Sequence, residues 1–543
     1  MAELGFLAQS RPDDRAVHEF VAMRDGTRLA TDVYLPPNAV GPVPTVLIRL
    51  PYDKTGRYTF IPEIATHFAA NGFAVVAQDV RGKYLSDGAR SPFVNEADDG
   101  WDTAEWIVAQ AWSDATIGTW GDSYYGFTQW ALASTRHPAH KAMVPRVTGH
   151  RFLDLRPGGG LPTLTLLDWL VDAWAHQELV LEHGTDHTTV PAIDMVHPDL
   201  PDGAALLRAY LAAMEEPEQL VASVFPDGDP AAGLAIPALH TGGWFDNLQF
   251  WQLDDWERAL HSPAAEHQYL VMTSSDHEDY RWRPRGLPLE TDFGVDPSAL
   301  AEHIPSLLEL PISFFDHYLR GRDGRWSEAR VRYDVCGDEA RVAPSWPPSS
   351  SRRRRFGLSA DGAILPAVQE GTGASVDWMH RPADPVPYPV ASEWDQNRGG
   401  VPDESELCRR ADTVCFDGEP LETSITLAGR CEFTARISAP TRTTHVVARL
   451  YDVDEHGDAR LVCGNAVEAV ADGATPFTVR LGDTAYRLPA RHRLRLLVAT
   501  SLAGQYVVHP GTDESPWHAA TRHPAHQSLL VDGAALVLPE EVG

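Results

Sequence analysis

The chain has 543 residues, a formal net charge of −31 and an apolar share of 43%. The length exceeds one ordinary core and implies two or three domains; the acidity argues against a nucleic-acid partner. No apolar run reaches the length of a membrane span, and Met1 to Asp14 lacks the basic start and apolar stretch of a secretory signal. The five cysteines, Cys336, Cys408, Cys415, Cys431 and Cys463, include no C-x-x-C pair, and their odd count suits a reduced, cytoplasmic protein. The histidines show no metal-ligand spacing, so neither a metal nor a cofactor is expected.

In chain order, residues 17–35 alternate apolar and polar around Arg24-Asp25-Gly26-Thr27, which predicts a β-hairpin. Pro44 to Leu50 and Phe73 to Asp79 are short apolar runs of the kind buried in a parallel sheet. Between them, Ile61 to Asn71 is helical in pattern and closes at Gly72; Glu96 to Gln110 is amphipathic. Strand and helix go on alternating through Ala142 to Val147, the pattern of an open parallel sheet. From about Gly149 to Pro230 strand signals stop, and Leu164 to Glu182 and Ala204 to Met214 read as helices carrying Trp169, Trp174 and Tyr210. That predicts a helical insertion, either a cap over the sheet's active edge or a plain subdomain. Strands resume at Pro237 to Gly243 and Gln268 to Thr273, and Leu307 to Leu319 reads as a helix. The Arg352 to Arg355 run reads as a solvated loop pairing with nearby carboxylates. Beyond it lie many short Val-, Thr- and Leu-rich strands bounded by Gly, Pro or Asp, the pattern of an all-β sandwich of jelly-roll type. The expected layout is an α/β core in residues 1–148 and 233–328, a helical cap in 149–232 and a jelly-roll β-sandwich in 329–543.

The chemistry centres on Gly121-Asp122-Ser123-Tyr124-Tyr125-Gly126, placed where an apolar strand turns into a helix. A serine flanked by glycines there reads as the nucleophile elbow of an α/β-hydrolase, with the second glycine one place later than in plain G-x-S-x-G. The triplet alone is weak evidence, because an ordinary strand–helix turn explains it equally well. A serine hydroxyl needs an imidazole to take its proton, and the imidazole needs an acid to fix its tautomer. The order Ser123, Asp246, His277 supplies both partners, each just after an apolar strand run. Asp246 also fits a helix N-cap, and His240, inside its strand, is the rival base.

These and other stretches resemble the cocaine esterase and α-amino acid ester hydrolase family, related to Xaa-Pro dipeptidyl peptidases. The resemblance rests on Met23-Arg24-Asp25-Gly26-Thr27-Arg28-Leu29, Pro51-Tyr52-Asp53-Lys54, Gln78-Asp79-Val80-Arg81-Gly82, Gly121 to Gly126, Gly243-Trp244-Phe245-Asp246 and Phe315-Asp316-His317-Tyr318-Leu319-Arg320-Gly321. Ala383 to Pro387 and Glu419 to Leu421 match its β-domain markers. The resemblance implies an α/β-hydrolase domain, a helical cap and a C-terminal jelly roll. It also implies Ser123 as nucleophile, Asp246 and His277 as its partners, and an oxyanion hole from the Tyr52 hydroxyl and the Tyr124 N–H. A packing role is the plain alternative for Tyr52. The lead-in Thr273-Ser274-Ser275-Asp276 departs from the family's Gly-Pro-Trp type, and Asn247-Leu248-Gln249 stands where α-amino ester hydrolases carry two carboxylates.

The expected activity is hydrolysis of a small ester with a bulky apolar or aromatic acyl part, walled by Trp169, Trp174 and Phe245. Acyl transfer through the same acyl-enzyme, Xaa-Pro peptidase activity and non-catalytic binding are the alternatives. The partner is a small-molecule ester, with no nucleic acid and no membrane; a homodimer stays open.

Overall fold

The computed structural model describes residues 4–9, 11–56, 58–181, 184–279, 297–322, 326, 329–390, 396–397 and 400–542. Its first ten sheet strands are β1 (Val17–Ala22), β2 (Arg28–Tyr34), β3 (Val43–Leu50), β4 (Ala74–Asp79), β5 (Ser113–Asp122), β6 (His140–Arg146), β7 (Ala238–Gly243), β8 (Gln268–Thr273), β9 (Val331–Tyr333) and β10 (Arg341–Ala343). They form one sheet in the order β10-β9-β8-β7-β6-β5-β3-β4-β2-β1. The seven strands from β9 to β4 run parallel, and the predicted hairpin β1–β2 and the last strand β10 close the two ends antiparallel. β3 and β4 are buried on both faces, as the Val46-Leu47-Ile48 and Ala74-Val75-Val76-Ala77 runs within them require. β9 and β10 lie beyond residue 328, so the sheet draws two edge strands from the stretch assigned above to the sandwich.

Helices α1 (Ile61–Ala70), α2 (Glu96–Val108) and α3 (Ser123–Ser134) connect the first strands. The insertion holds α4 (Leu164–Trp174), α5 (Pro201–Ala213) and α6 (Pro217–Val224). It also holds a two-residue strand, Leu179–Val180, paired with Phe6–Leu7 from the start of the chain. After α7 (Gln249–Ala259), α8 spans Pro297–Arg320, longer than the expected Leu307 to Leu319 because Pro305 and Pro311 lie within it. No helix among the described residues is long and apolar enough to cross a membrane.

The C-terminal unit is β-rich. Its strands are β11 (Ser351–Leu358), β12 (Ile364–Leu365), β13 (Ser375–His380), β14 (Thr413–Asp417), β15 (Ile425–Val453), β16 (Ala459–Leu488), β17 (Arg493–Ala499) and β18 (Ala525–Glu541). The path is β12-β11-β18-β15-β17-β14, with β16 on β15 and β13 on β18. Two expectations are corrected here. The arginine run is strand β11, not loop; its side chains are exposed, and Arg353 and Arg354 pair with Glu432 and Glu540 on neighbouring strands. The charges hid the strand because only its far end is buried. The cysteines are not all reduced: Cys408 and Cys415 form a disulfide, while Cys336, Cys431 and Cys463 are free and buried. Their seven-residue spacing lacks a recognisable pattern, and the turn at Ser405–Arg409 leading into β14 is what brings them together.

Motif residues distant in sequence turn out to brace one another. Arg81 reaches Asp25 and Asp99, each at 2.6 Å, tying the hairpin to α2. Arg320 sits 3.7 Å over the Phe73 ring and donates to the Asn71 carbonyl, fixing the end of α8 to the turn after α1.

Candidate active site

Every proposed catalytic side chain follows a parallel strand at its carboxyl end: Tyr52 after β3, Ser123 after β5, Asp246 after β7 and His277 after β8. In an open parallel sheet that edge is where loops converge and ligands bind.

Ser123 is the first residue of α3 and holds φ at +52°, a strained setting for a non-glycine residue. The glycines permit the turn. A Cβ on Gly121 would lie 2.3 Å from the Tyr125 ring, and one on Gly126 would lie 2.5 Å from the Thr148 methyl. Thr148 in turn donates its hydroxyl to the Ser123 carbonyl at 2.6 Å. Tyr124 follows in the first turn of α3, where a backbone N–H has no carbonyl within the helix to receive it. Its side chain is committed elsewhere: the hydroxyl donates to Glu96 at 2.8 Å and accepts the Phe93 N–H at 2.7 Å.

His277 and Asp246, 31 residues apart, are joined Nδ1 to Oδ1 at 2.7 Å. Oδ1 of Asp246 also accepts the Leu248 N–H at 3.0 Å and closes the turn ahead of α7; the helix N-cap is Leu248, with no side-chain cap, so the N-cap alternative for Asp246 falls. Burial alone would lower the His277 imidazole. The Asp246 carboxylate, by charge and hydrogen bond, outweighs it with help from Glu278 and Asp122, and the group is held above its ordinary value. Asp122 is itself clamped by Arg146 at 2.7 Å. The rival His240 is fully buried between Trp130 and Trp256, its Nε2 on Gln268, and burial lowers it to about 4. It lies within β7 rather than past its end and packs into the core.

Tyr52 is buried, with Trp169 Nε1–H donating to its hydroxyl at 2.6 Å. Burial pushes its phenol up, so it stays protonated and able to donate. The loop that carries it is anchored by its neighbour. Lys54 is buried, with its ammonium 3.2 Å from Asp32 and its N–H on Asp79 at 2.9 Å.

Of the three expected walls, Trp169 therefore presents its polar edge to Tyr52. Trp174 is 2% exposed and packs on the Tyr124 ring, with the Lys83 ammonium above it. Phe245 lines a small cavity toward the β-rich unit together with Asn247, whose amide atoms are buried without a hydrogen-bond partner among the described residues. The carboxylates that could have reached the site are engaged: Asp168 by Thr185 and His187, Asp172 by the Gly184 N–H, and Asp276 by the Asn397 N–H. Sequence reasoning missed Glu278, beside His277 and 3.3 Å from the Tyr58 hydroxyl. It also missed Tyr58, whose ring meets Tyr52 edge-on at 5.6 Å. Only adjacency to His277 and to the Tyr52 loop could have flagged them.

A parallel sheet in this strand order, with a strained serine on a strand–helix turn and an acid–imidazole pair on later strand ends, defines an α/β-hydrolase. The profile of the X-Pro dipeptidyl-peptidase (S15 family) matches residues 25–279, and that of the X-Pro dipeptidyl-peptidase C-terminal non-catalytic domain matches residues 324–535. The chain is 30% identical over 492 residues to the cocaine esterase of Rhodococcus sp. (strain MB1 Bresler), covering 83% of this chain and 82% of that one. It belongs to the cocaine esterase family. A solved α-amino acid ester hydrolase superposes with a TM-score of 0.78 at 21% identity over 97% of this chain and 96% of that one. An aminopeptidase from a marine-sediment Thaumarchaeota archaeon gives 0.76 at 20% identity over 99% and 98%. At those identities the likeness speaks for the fold.

Proposed function

We propose that the chain hydrolyses small carboxylic esters through an acyl-enzyme. The observation that carries this reading is the 2.7 Å His277–Asp246 hydrogen bond at the same sheet edge as the strained Ser123. Asp246 holds Nδ1–H, which leaves Nε2 with the lone pair needed to take the Ser123 proton as Oγ attacks the ester carbonyl. The resulting oxyanion receives the Tyr52 O–H and the Tyr124 N–H. Collapse expels the alcohol, protonated by the imidazolium, and water repeats the sequence to release the acid. A fluorophosphonate probe tests the site directly: labelling should fall on Ser123 alone, and labelling elsewhere, or none in active protein, rejects it. Product analysis with an added amine separates hydrolysis from acyl transfer.

The base works only when neutral, so kcat/KM should rise with pH through one ionisation. Because the charges around His277 raise it, the midpoint should lie above the ordinary histidine value. Asp246→Asn should lower that midpoint as well as the rate. A profile that stays flat across the histidine range would exclude His277 as the base.

The acyl pocket should favour neutral substrates. A buried ammonium needs a fixed carboxylate, and the residues after Asp246 are Asn247, Leu248 and Gln249. A phenylacetyl ester should therefore show higher kcat/KM than its phenylglycyl counterpart. A phenylglycyl advantage that Glu278→Gln removes would reverse the assignment and name Glu278 as the amine's partner.

A further inference from the structure

We propose that Trp169 is a positioning residue for the reaction: its indole N–H, brought in by the inserted helix α4, sets the direction in which the Tyr52 hydroxyl donates. The inference rests on the reading of Tyr52 as an oxyanion donor and adds what orients that donor.

A phenol has one hydrogen and two oxygen lone pairs, and an indole N–H can only donate. With Trp169 Nε1 at 2.6 Å from the Tyr52 oxygen, one lone pair is occupied and the phenol hydrogen must point away from the indole. Tyr52 and Ser123 stand just past the carboxyl ends of the neighbouring strands β3 and β5, and that shared edge is where a hydrogen turned away from the inserted helix can donate. Donation into the phenol oxygen also polarises the O–H and strengthens what it gives to a developing negative charge.

Trp169 is itself held firmly. Its ring lies 5.6 Å from Phe152, 5.8 Å from Tyr124 and 5.9 Å from Phe93. The start of α4 is tied to the β-rich unit, where the Leu164 N–H donates to the Gln505 carbonyl at 2.8 Å and Thr163 bridges Tyr506. One residue before Trp169, Asp168 is bound to His187 at 2.8 Å. The inserted helix thus delivers a donor to the oxyanion site on a mount fixed from two sides, which an apolar wall would not need.

The test is a double-mutant cycle on a p-nitrophenyl ester. Trp169→Phe should lower kcat by about tenfold, the scale of one lost hydrogen bond, with KM within about twofold. In a Tyr52→Phe background the same change should cost nothing further, because the group it orients is gone. Replacing Trp169 by β-(3-benzothienyl)alanine keeps the indole outline without the N–H; it should reproduce the loss, and it decides the matter if the Phe variant folds poorly. Full activity in the benzothienyl variant, or an equal loss of kcat from Trp169→Phe with Tyr52 already replaced, would make Trp169 a wall and overturn the proposal while leaving the Tyr52 reading intact. If Tyr52→Phe alone leaves kcat unchanged, the donor reading of Tyr52 falls, and this proposal with it.

Discussion

Ser123→Ala should lower kcat by roughly 10³-fold or more, because the variant has no nucleophile and keeps only binding and oxyanion stabilisation. The fold should survive. Alanine fills no more space than serine at the half-exposed elbow, and the Ser123 carbonyl that Thr148 holds at 2.6 Å belongs to the backbone. The measurement is kcat on a p-nitrophenyl ester with a freshly purified variant whose melting temperature matches the parent. Turnover near the parent's rate would end the acyl-enzyme mechanism. Loss of turnover with substrate binding retained is the expected pattern, since nothing that binds the acyl part is removed.

Tyr52→Phe should reduce kcat by roughly 10²- to 10³-fold, the equivalent of about 2.7–4 kcal/mol for one oxyanion donor. KM should change little, because the donor meets full negative charge only in the transition state. A second consequence follows from the structure. The variant strands the Trp169 N–H in a buried position, and an orphaned buried donor costs about 1–3 kcal/mol. Tyr52→Phe should therefore melt at a lower temperature than the parent. An unchanged kcat with a lowered melting temperature would return Tyr52 to packing alone.

These two side chains differ in how much of their role could be read before folding. Ser123 sits between glycines after an apolar run, and the tight turn proposed to present it is the same turn that demands those glycines. Local sterics wrote the site into adjacent residues. The proposed partners Asp246 and His277 could be placed at one sheet edge for a related reason: parallel strands are buried on both faces, so each reads as an apolar run, and residues just past such runs gather at one edge. The departures occurred where burial was partial or partners were remote. Strand β11 was hidden by its four arginines, of which Arg353 and Arg354 find their carboxylates on strands far along the chain. The Cys408–Cys415 bond depended on a turn without a sequence signature, and the edge strands β9 and β10 are three residues each, too short to carry a period.

What the chain determined by itself was therefore the succession of the main parallel strands and helices, the tight turn at Ser123 and the order of serine, acid and histidine, all set by short-range sterics and by the burial pattern along each strand. What only the tertiary structure decided was which way buried polar atoms face. Trp169 reads as an apolar wall in any one-dimensional pattern, yet its N–H meets the Tyr52 hydroxyl, 117 residues away in sequence. Asp168, Asp172 and Asp276 are held by cap and loop groups, while Glu278 meets the Tyr58 hydroxyl, 220 residues away in sequence. A hydrogen bond in a closed interior is set by angle and distance between elements, and those quantities exist only once the sheet edge, the inserted helices and the β-rich unit have packed together.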